Sequence, residues 1–182
     1  MKTRIIVFLS ILVFIFLCIF ISDTVIKYNY PLKYQETISE ESKNFGVEKS
    51  LIAGVIRAES RFEATAVSQK GAMGLMQLLP STAKWLAEKL ELEMFDDSQL
   101  LEPSVNIKLG TYYLSYLQDK FESPEAVLSA YNAGETIVRT WLQNQEYSMD
   151  GVSLQKIPYL ETKNYVEKVI SSLSVYEKLF DK

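Results

Sequence analysis

Apolar residues recur at helical spacing from about Gln35 onward, and the alternation typical of strands is scarce. The segment 48–60 carries an i, i+1, i+4, i+5 stripe of Leu51, Ile52, Val55 and Ile56. Such a stripe is typical of a helix that packs one face into a core. The same spacing predicts further helices at 36–45, 81–90, 104–120, 124–132, 135–143 and 161–180. The pattern therefore predicts a compact all-α domain.

Four residues at the ends of these segments predict where the helices begin and end. Gly46 and Gly134 follow apolar-periodic segments, where glycine readily adopts the left-handed conformation that ends a helix. Ser81 and Ser123 precede others, and a serine hydroxyl at that position accepts a bond from an unpaired backbone N–H. We therefore expect both serines to act as N-caps.

The N-terminal segment predicts a membrane anchor. After Lys2 and Arg4, residues 5–21 are almost continuously apolar, and as a helix they span roughly 25 Å, close to the hydrocarbon core. The alternative is a cleaved secretory signal, which usually ends in a small-x-small site rather than in Phe20 and Ile21. We therefore favour an uncleaved signal anchor.

The flanking charges predict the orientation of this anchor. Basic residues lie in the first four positions, so residues 1–4 are expected in the cytoplasm. Residues 22–34 are predicted as a stalk, and residues 35–182 as a domain on the extracytoplasmic face of the cytoplasmic membrane. A fully extended stalk reaches at most roughly 45 Å.

Composition then removes several kinds of chemistry. The 182-residue chain has no histidine, which excludes Ser-His-Asp and Cys-His catalysis and histidine-ligated zinc. Its single cysteine, Cys18, lies in the apolar run, so no intramolecular disulfide or thiolate cluster forms. A formal net charge of −4 without a basic arm argues against nucleic-acid binding. Catalysis would depend on carboxylates, hydroxyls, amides, lysine, arginine or tyrosine.

Glu59 is the carboxylate whose position is most informative. It follows Val55 by four residues and Ile56 by three, so a helix places it on the apolar face near the C-terminal end. Desolvation and the negative end of the helix dipole both raise the pKa of such a carboxyl, as a general acid requires. The alternative is a solvent-exposed side chain or an ion pair with Arg57 or Arg61.

The segment 61–80 is predicted as a loop that could contact a ligand. Gly71 and Gly74 permit close approach of the backbone, and Ser68 and Gln77 offer neutral hydrogen bonds suited to sugars. An ordinary glycine-containing turn is the alternative.

Two further sets of side chains admit both a structural and a functional interpretation. Tyr131 and Asn132, in the string AYNAG, could pack in the core and cap a helix end, or contact a ligand. Met76 would by default fill the core.

Five ordered blocks of the sequence resemble the lytic transglycosylase domain of the soluble lytic transglycosylases and, more distantly, goose-type lysozyme. They are LIAGVIRAESRF (51–62), AVSQKGAMGLMQLLPSTA (66–83), NIKLGTYYLSYL (106–117), AYNAG (130–134) and IPYLETKNYVEKV (157–169). The resemblance covers roughly residues 35–182 and implies a lysozyme-like helical fold.

The resemblance also implies roles for individual residues. Glu59 corresponds to the family's catalytic acid and base. The positions that match the family's substrate-binding residues are Ser68, Met76, Gln77, Tyr131, Asn132, Glu161 and Tyr165. Neither a metal nor another cofactor is implied, and the expected partners are peptidoglycan glycan strands and the cytoplasmic membrane.

The implied reaction is non-hydrolytic cleavage of the β-1,4 bond between N-acetylmuramic acid and N-acetylglucosamine, giving 1,6-anhydromuramyl ends. One alternative is a muramidase that hydrolyses this bond, which needs a second carboxylate to direct water. Candidates by residue type are Glu63, Asp96, Asp97, Glu135 and Glu161. The other alternative is a peptidoglycan-binding module without activity.

Overall fold

A computed structural model describes Phe14, residues 24–92 and residues 95–181. Contacts divide the chain into two units, Met1–Leu32 and Lys33–Lys182. Each unit is described by itself.

The first unit includes the predicted anchor, residues 5–21, which lies outside the described residues except for Phe14. Within the part of the chain that the structure describes, no helix is both long enough and apolar enough to cross a membrane. Residues 24–29 are helical, although they belong to the predicted stalk. A helix rises only about 1.5 Å per residue, so a stalk that contains this helix would reach less far than the extended estimate.

The second unit is all-α across its described residues, as the apolar spacing predicts. Its α-helices are α1 (Gln35–Phe45), α2 (Lys49–Glu59), α3 (Pro80–Lys89), α4 (Pro103–Gln118), α5 (Pro124–Ala133), α6 (Glu135–Leu142) and α7 (Leu160–Phe180). Two isolated β-bridges, Val67 with Met73 and Met73 with Leu78, occur in the loop between α2 and α3.

Three of the predicted helix ends are confirmed. Gly46 ends α1 with a left-handed backbone at φ 69°, and Gly134 separates α5 from α6 with φ 100°. The Ser123 hydroxyl accepts a hydrogen bond from the backbone N–H of Ala126 at 3.1 Å, as an N-cap does.

The prediction that Ser81 caps α3 is wrong. The helix begins one residue earlier, with Pro80 at its first position and Leu79 as N-cap. Proline suits that position because its fixed φ is already helical and its missing N–H would have no helical partner there. Ser81 therefore lies inside the first turn.

A short 3-10 helix, Asp97–Leu101, was not predicted from the sequence. Its capping box has Asp96 accepting from the backbone while the Gln99 side chain accepts from the backbone N–H of Asp96 at 2.9 Å. Leu100 is fully buried and fixes this turn to the core. The segment is too short for apolar periodicity to indicate it.

The core is built around the packing of α2 along α7, the most extensive helix contact in the second unit. Ile52, Val55 and Ile56 of the predicted stripe are fully buried, as is Val169 on α7. Gly54 lets the two helices approach closely, since a Cβ there would lie 3.0 Å from Ser172 Oγ. This packing fixes the C-terminal end of α2, where Glu59 lies.

Candidate active site

A cleft of about 490 Å³ opens on one face of the second unit. Its walls come from the end of α2, the loop 61–79, the first turn of α3, α4, the end of α5 and the first turn of α7. The residues that line it are Glu59, Ser68, Gln69, Lys70, Ala72, Gln77, Leu78, Leu79, Thr82, Tyr113, Tyr131, Asn132, Ala133, Gly134 and Glu161. Six of the eight predicted site residues therefore meet at one surface.

Glu59 is the last residue of α2 and lies partly buried in the cleft. Burial raises the pKa of its carboxyl from 4.5 to about 7, because the low-dielectric surroundings disfavour the charged form. Tyr165 and the Lys168 ammonium lower this pKa in part, and the charge of Glu161 raises it slightly. The predicted rise in pKa is confirmed, and a carboxyl with this pKa is suited to general acid and base chemistry near neutral pH.

Two buried tyrosines lie beside this carboxyl. The Tyr131 hydroxyl donates to the Met76 carbonyl at 2.9 Å, and burial raises the pKa of Tyr131 well above its usual range. The Tyr165 hydroxyl interacts with Glu59, yet it has no partner in ordinary hydrogen-bond geometry among the described residues. Both tyrosines thus place neutral hydroxyls next to the Glu59 carboxyl, and the Tyr165 hydroxyl still has hydrogen-bonding capacity to spare.

The loop 61–79 is braced by Gln77, whose backbone adopts a left-handed φ of 48°. Its side-chain amide donates to the carbonyls of Ala66 at 3.0 Å and Gly74 at 2.8 Å. The two N–H groups of Gln77 are thereby used within the loop, and its Oε1 is left to accept from a ligand. The Ser68 Oγ also accepts a hydrogen bond within the loop, from the Ala72 backbone N–H at 3.0 Å, and its O–H is left to donate to a ligand.

Asn106, at the start of the NIKLG block, is fully buried and was not among the predicted site residues. Its Oδ1 accepts from the Met76 backbone N–H at 2.7 Å, and its Nδ2 donates to the carbonyls of Leu100 at 2.8 Å and Met73 at 3.0 Å. These bonds join α4, the 3-10 helix and the loop. A polar residue on the buried face of a periodic helix is the sequence signal that could have revealed it.

Gly74 lies at the centre of this arrangement. Its φ is 77°, and a Cβ built there would lie 2.1 Å from the Leu100 carbonyl oxygen. Only glycine satisfies both the backbone angle and the close approach. The close approach at this glycine is made by the protein's own Leu100 carbonyl and Asn106 side chain, and the close approach to a ligand stays a prediction.

Asn132 lines the cleft at the end of α5. Its Oδ1 accepts from the Thr162 hydroxyl at 2.8 Å, and Thr162 is itself buried on α7. This bond orients the side chain and leaves the amide N–H groups of Asn132 without a partner in the described chain. They are available to a ligand carbonyl or hydroxyl.

Met76 does not lie on the surface of the cleft, contrary to the expectation that it lines the groove. Its side chain is 0 % exposed and packs against Gly110, where a Cβ would come 2.3 Å from the methionine sulfur. Its structural contribution is the carbonyl that accepts from Tyr131 and the N–H that donates to Asn106. Tyr165 is likewise buried beneath the cleft, where it touches Glu59 rather than open solvent.

Glu161 lies at the rim of the cleft and forms an ion pair with Lys70. The carboxylate and ammonium are 3.5 Å apart, and their side chains are 74 % and 80 % exposed. Sequence reasoning missed Lys70, although it stands within the glycine-containing loop block. Since α7 carries Glu161 and the loop carries Lys70, this pair joins two walls of the cleft.

The other candidate carboxylates lie away from the cleft lining. Glu63 accepts from the Thr65 hydroxyl on the exposed side of its loop, and Glu135 is bound to Arg139 and Tyr116. Asp96 and Asp97 belong to the start of the 3-10 helix. Of the carboxylates considered as a second catalytic group, Glu161 alone lines the described cleft. Over the ranges 24–92 and 95–181, no group of three or more acidic or cysteine side chains is arranged to hold a metal ion.

Comparisons of the chain with known proteins agree on one family. The model of the transglycosylase SLT domain matches residues 36–151. The chain is 35 % identical over 150 residues to the soluble lytic murein transglycosylase of Salmonella typhimurium, covering 81 % of this chain and 23 % of that protein. It is 30 % identical over 168 residues to the membrane-bound lytic murein transglycosylase C of Mannheimia succiniciproducens, covering 80 % and 47 %. The chain thus spans less than half the length of both relatives.

Solved structures agree with this grouping. The crystal structure of the 70 kDa soluble lytic transglycosylase of Escherichia coli superposes with a TM-score of 0.77 at 30 % identity. The match covers 85 % of this chain and 25 % of that one. The lysozyme-like helical fold expected from the sequence is therefore confirmed for the second unit.

Proposed function

The chain belongs to the transglycosylase SLT domain family, and we propose that it is a peptidoglycan lytic transglycosylase with Glu59 as its acid and base. The observation that carries this proposal is the Glu59 carboxyl at the cleft surface, whose pKa burial raises to about 7. At that value both the acid and its conjugate base are populated near neutral pH, so one group can serve in two successive proton transfers.

The first step breaks the glycosidic bond between N-acetylmuramic acid and N-acetylglucosamine. Protonated Glu59 gives its proton to the bridging oxygen, and the bond from muramyl C1 to that oxygen breaks as the N-acetyl oxygen of the same sugar closes onto C1. The N-acetylglucosamine side leaves as a 4-hydroxyl. Glu59 is now a carboxylate, which the nearby Lys168 ammonium stabilises.

The second step forms the anhydro product and restores the enzyme. The Glu59 carboxylate takes the proton of the muramyl 6-hydroxyl as O6 bonds to C1 and displaces the N-acetyl oxygen. No water is consumed, and the carboxyl returns to its protonated form. The desolvated site favours this return, because the neutral carboxyl is the preferred state there.

Other cleft residues would bind and orient the glycan. The Oε1 of Gln77 and the hydroxyl of Ser68 suit sugar hydroxyls, while the amide N–H groups of Asn132 suit an N-acetyl carbonyl. Tyr131 would support the floor of the cleft through its bond to Met76. Glu161, exposed at the rim, would contact a substituent of the glycan rather than the scissile bond.

A hydrolytic muramidase is the second candidate, favoured only by the presence of Glu161 in the same cleft. A second carboxylate that activates water should be free to accept a proton from it. Glu161 is instead largely exposed and paired with Lys70. A non-catalytic binding module is less well supported, because a binding groove gains nothing from a desolvated carboxyl that costs stability when ionised.

We propose further that residues 5–21 form a single-pass anchor, with residues 22–34 as a stalk and residues 35–182 as the catalytic domain on the extracytoplasmic face. The apolar run supports this, as does the existence of relatives named membrane-bound. Alkaline carbonate extraction of cell membranes tests it: an anchored chain stays in the pellet. Release of a product that begins after residue 21 would instead identify a cleaved signal.

Mass analysis of the muropeptides released from purified peptidoglycan in ¹⁸O-labelled water tests the reaction. The full chain should give products one water lighter than reducing muropeptides and without the label. Glu59→Gln should give none, because an amide donates no proton to the leaving oxygen. Reducing ends that carry ¹⁸O would mean a hydrolase, and wild-type protein that binds glycan without cleaving it would mean a binding module.

A further inference from the structure

Lys168, on α7, lies beside Glu59 without lining the cleft. Its ammonium donates to the carbonyl oxygen of Ala58 at 2.6 Å, across a sequence separation of 110 residues. Ala58 is the residue immediately before Glu59 in the last turn of α2. The last carbonyls of a helix have no partner within the helix, so this bond satisfies one of them from outside.

The same ammonium acts electrostatically at the end of α2. The negative end of a helix dipole destabilises a carboxylate that is attached there, and a cation at that end opposes this effect. Lys168 is partly buried, and desolvation together with the charges of Arg57 and Arg61 lowers the pKa of Lys168. The bond to the Ala58 carbonyl and the charge of Glu59 offset this cost of desolvation. Lys168 is therefore held in a specific position rather than extended into solvent.

The position of Lys168 along α7 fits this role. Glu161, Tyr165 and Lys168 are spaced by four and three residues, so they share one face of the helix, and that face is directed at Glu59. Tyr131, on α5, lies close enough for the charge of Glu59 to raise the pKa of its hydroxyl, although that hydroxyl donates to the Met76 carbonyl. Among the described residues, the groups that act on the Glu59 carboxyl are the neutral hydroxyl of Tyr165, the Glu161 carboxylate and the Lys168 ammonium. Arg57 on α2 and Arg61 in the following loop act in turn on Lys168.

We propose that Lys168 is a positioning residue that holds the C-terminal end of α2, and so aims the Glu59 carboxyl into the cleft, while its ammonium stabilises the ionised form. This inference rests on the proposed function for its catalytic consequence. The hold of Lys168 on the end of α2 and its effect on the ionisation of Glu59 do not depend on any reaction. Without Lys168, Glu59 would be a weaker acid, slower to give up its proton and held less firmly at the scissile bond.

The test is a ¹³C NMR titration of the Glu59 carboxyl in the full chain, with its signal assigned by its absence from Glu59→Gln. In Lys168→Met the midpoint should rise by roughly half a pH unit or more, because the nearby opposite charge is gone. Lys168→Arg keeps the charge and the donor, so its midpoint should stay near that of the wild type. Lys163→Met, which removes an exposed lysine from the same helix, is the matched control and should leave the midpoint unchanged.

Lys168→Gln covers the case in which the methionine variant does not fold, since it removes the charge but keeps a polar donor. It should raise the midpoint as Lys168→Met does. On peptidoglycan, the two neutral variants should lower kcat about tenfold with little change in KM, and Lys168→Arg should restore most of the rate. An unchanged Glu59 midpoint in a folded neutral variant would overturn the proposal. If wild-type protein cleaves no glycan, the proposed function fails, and the titration still decides the role of Lys168.

Discussion

Two glutamates line the same cleft, and their surroundings differ in almost every respect. Glu59 lies at the floor, at the end of a helix whose apolar face is buried, and burial raises the pKa of its carboxyl to about 7. Glu161 lies at the rim with a side chain that is 74 % exposed and paired with Lys70. Residue type and cleft membership are therefore poor guides to role here.

The difference shows that exposure to solvent decides which chemistry each of the two carboxyls is suited to. Burial desolvates the Glu59 carboxyl, so it still holds a proton near neutral pH. The rim admits water, and an exposed ion pair there contributes little to stability and exchanges readily with other charges. The floor is suited to proton transfer, and the rim is suited to recognition of charged substituents. Each of the following changes breaks or sharpens this contrast.

The largest effect should come from exchanging the two carboxyls for amides in turn. Glu59→Gln should lower the rate of peptidoglycan cleavage by at least about a thousandfold, because both proton transfers depend on it. Glu161→Gln should lower it less than about tenfold, since the rim group does not touch the scissile bond in the proposed mechanism. Initial rates of muropeptide release measure both. Comparable losses in the two variants would mean that the rim carboxylate takes part in the chemistry.

The next largest effect should come from replacing Asn106, whose side-chain hydrogen bonds join the loop beneath the cleft to α4 and the 3-10 helix. Replacement by leucine leaves three buried backbone groups without their partners, and each costs about 1–3 kcal/mol, so Asn106→Leu should destabilise the fold by at least about 3 kcal/mol. Urea unfolding of the full chain measures this. Asn164→Ala, at an exposed position on α7, is the control and should stay within about 0.5 kcal/mol of the wild type.

A smaller effect is expected from Tyr131→Phe, which keeps the ring and removes the hydroxyl that donates to Met76. Losing one buried hydrogen bond should cost about 1–2 kcal/mol of unfolding free energy and lower the cleavage rate severalfold. Tyr112→Phe, at a residue that packs against Phe45 and does not line the cleft, should change neither quantity. Equal effects in the two variants would mean that the Tyr131 hydroxyl has no specific role at the site.

The smallest effect belongs to the rim pair. Lys70→Gln and Glu161→Gln should each change the free energy of unfolding by less than about 1 kcal/mol, because the partners are exposed and 3.5 Å apart. The change should shrink further in 1 M salt, which screens exposed charges. A loss of several kcal/mol in either variant would mean that the pair holds the two walls together.

Several features of the fold and site could be predicted because they depend on local sequence. The apolar stripe of α2 sets both the helix and the side of it on which Glu59 lies, so the spacing indicated a raised pKa. The burial that excludes the exposed or ion-paired alternative comes from the packing of other segments around the cleft. The Ser123 hydroxyl bonds a backbone N–H only three residues further on, and Gly134 acts through its own backbone angle, so both roles could be predicted from the local sequence. Ser81 shows the limit of this approach, since Pro80 could start the same helix one residue earlier.

Other features could not be predicted because they depend on contacts between distant segments. The bond from Lys168 to Ala58 joins residues 110 positions apart, and no local pattern indicates it. The place of Met76 beneath the cleft follows from its packing on Gly110 in another helix. The pairing of Lys70 with Glu161 likewise requires that the loop and α7 meet at the cleft.

The central claim is that the floor of the cleft stabilises the neutral Glu59 carboxyl, and the pH dependence of unfolding tests it most directly. Because the pKa is raised from 4.5 to about 7 on folding, ionised Glu59 destabilises the fold as pH rises between these values. Glu59→Gln removes that destabilisation. Its stability relative to the wild type should therefore increase from pH 4.5 to pH 8, by at most about 3 kcal/mol. A stability difference that is the same at both pH values would contradict the account.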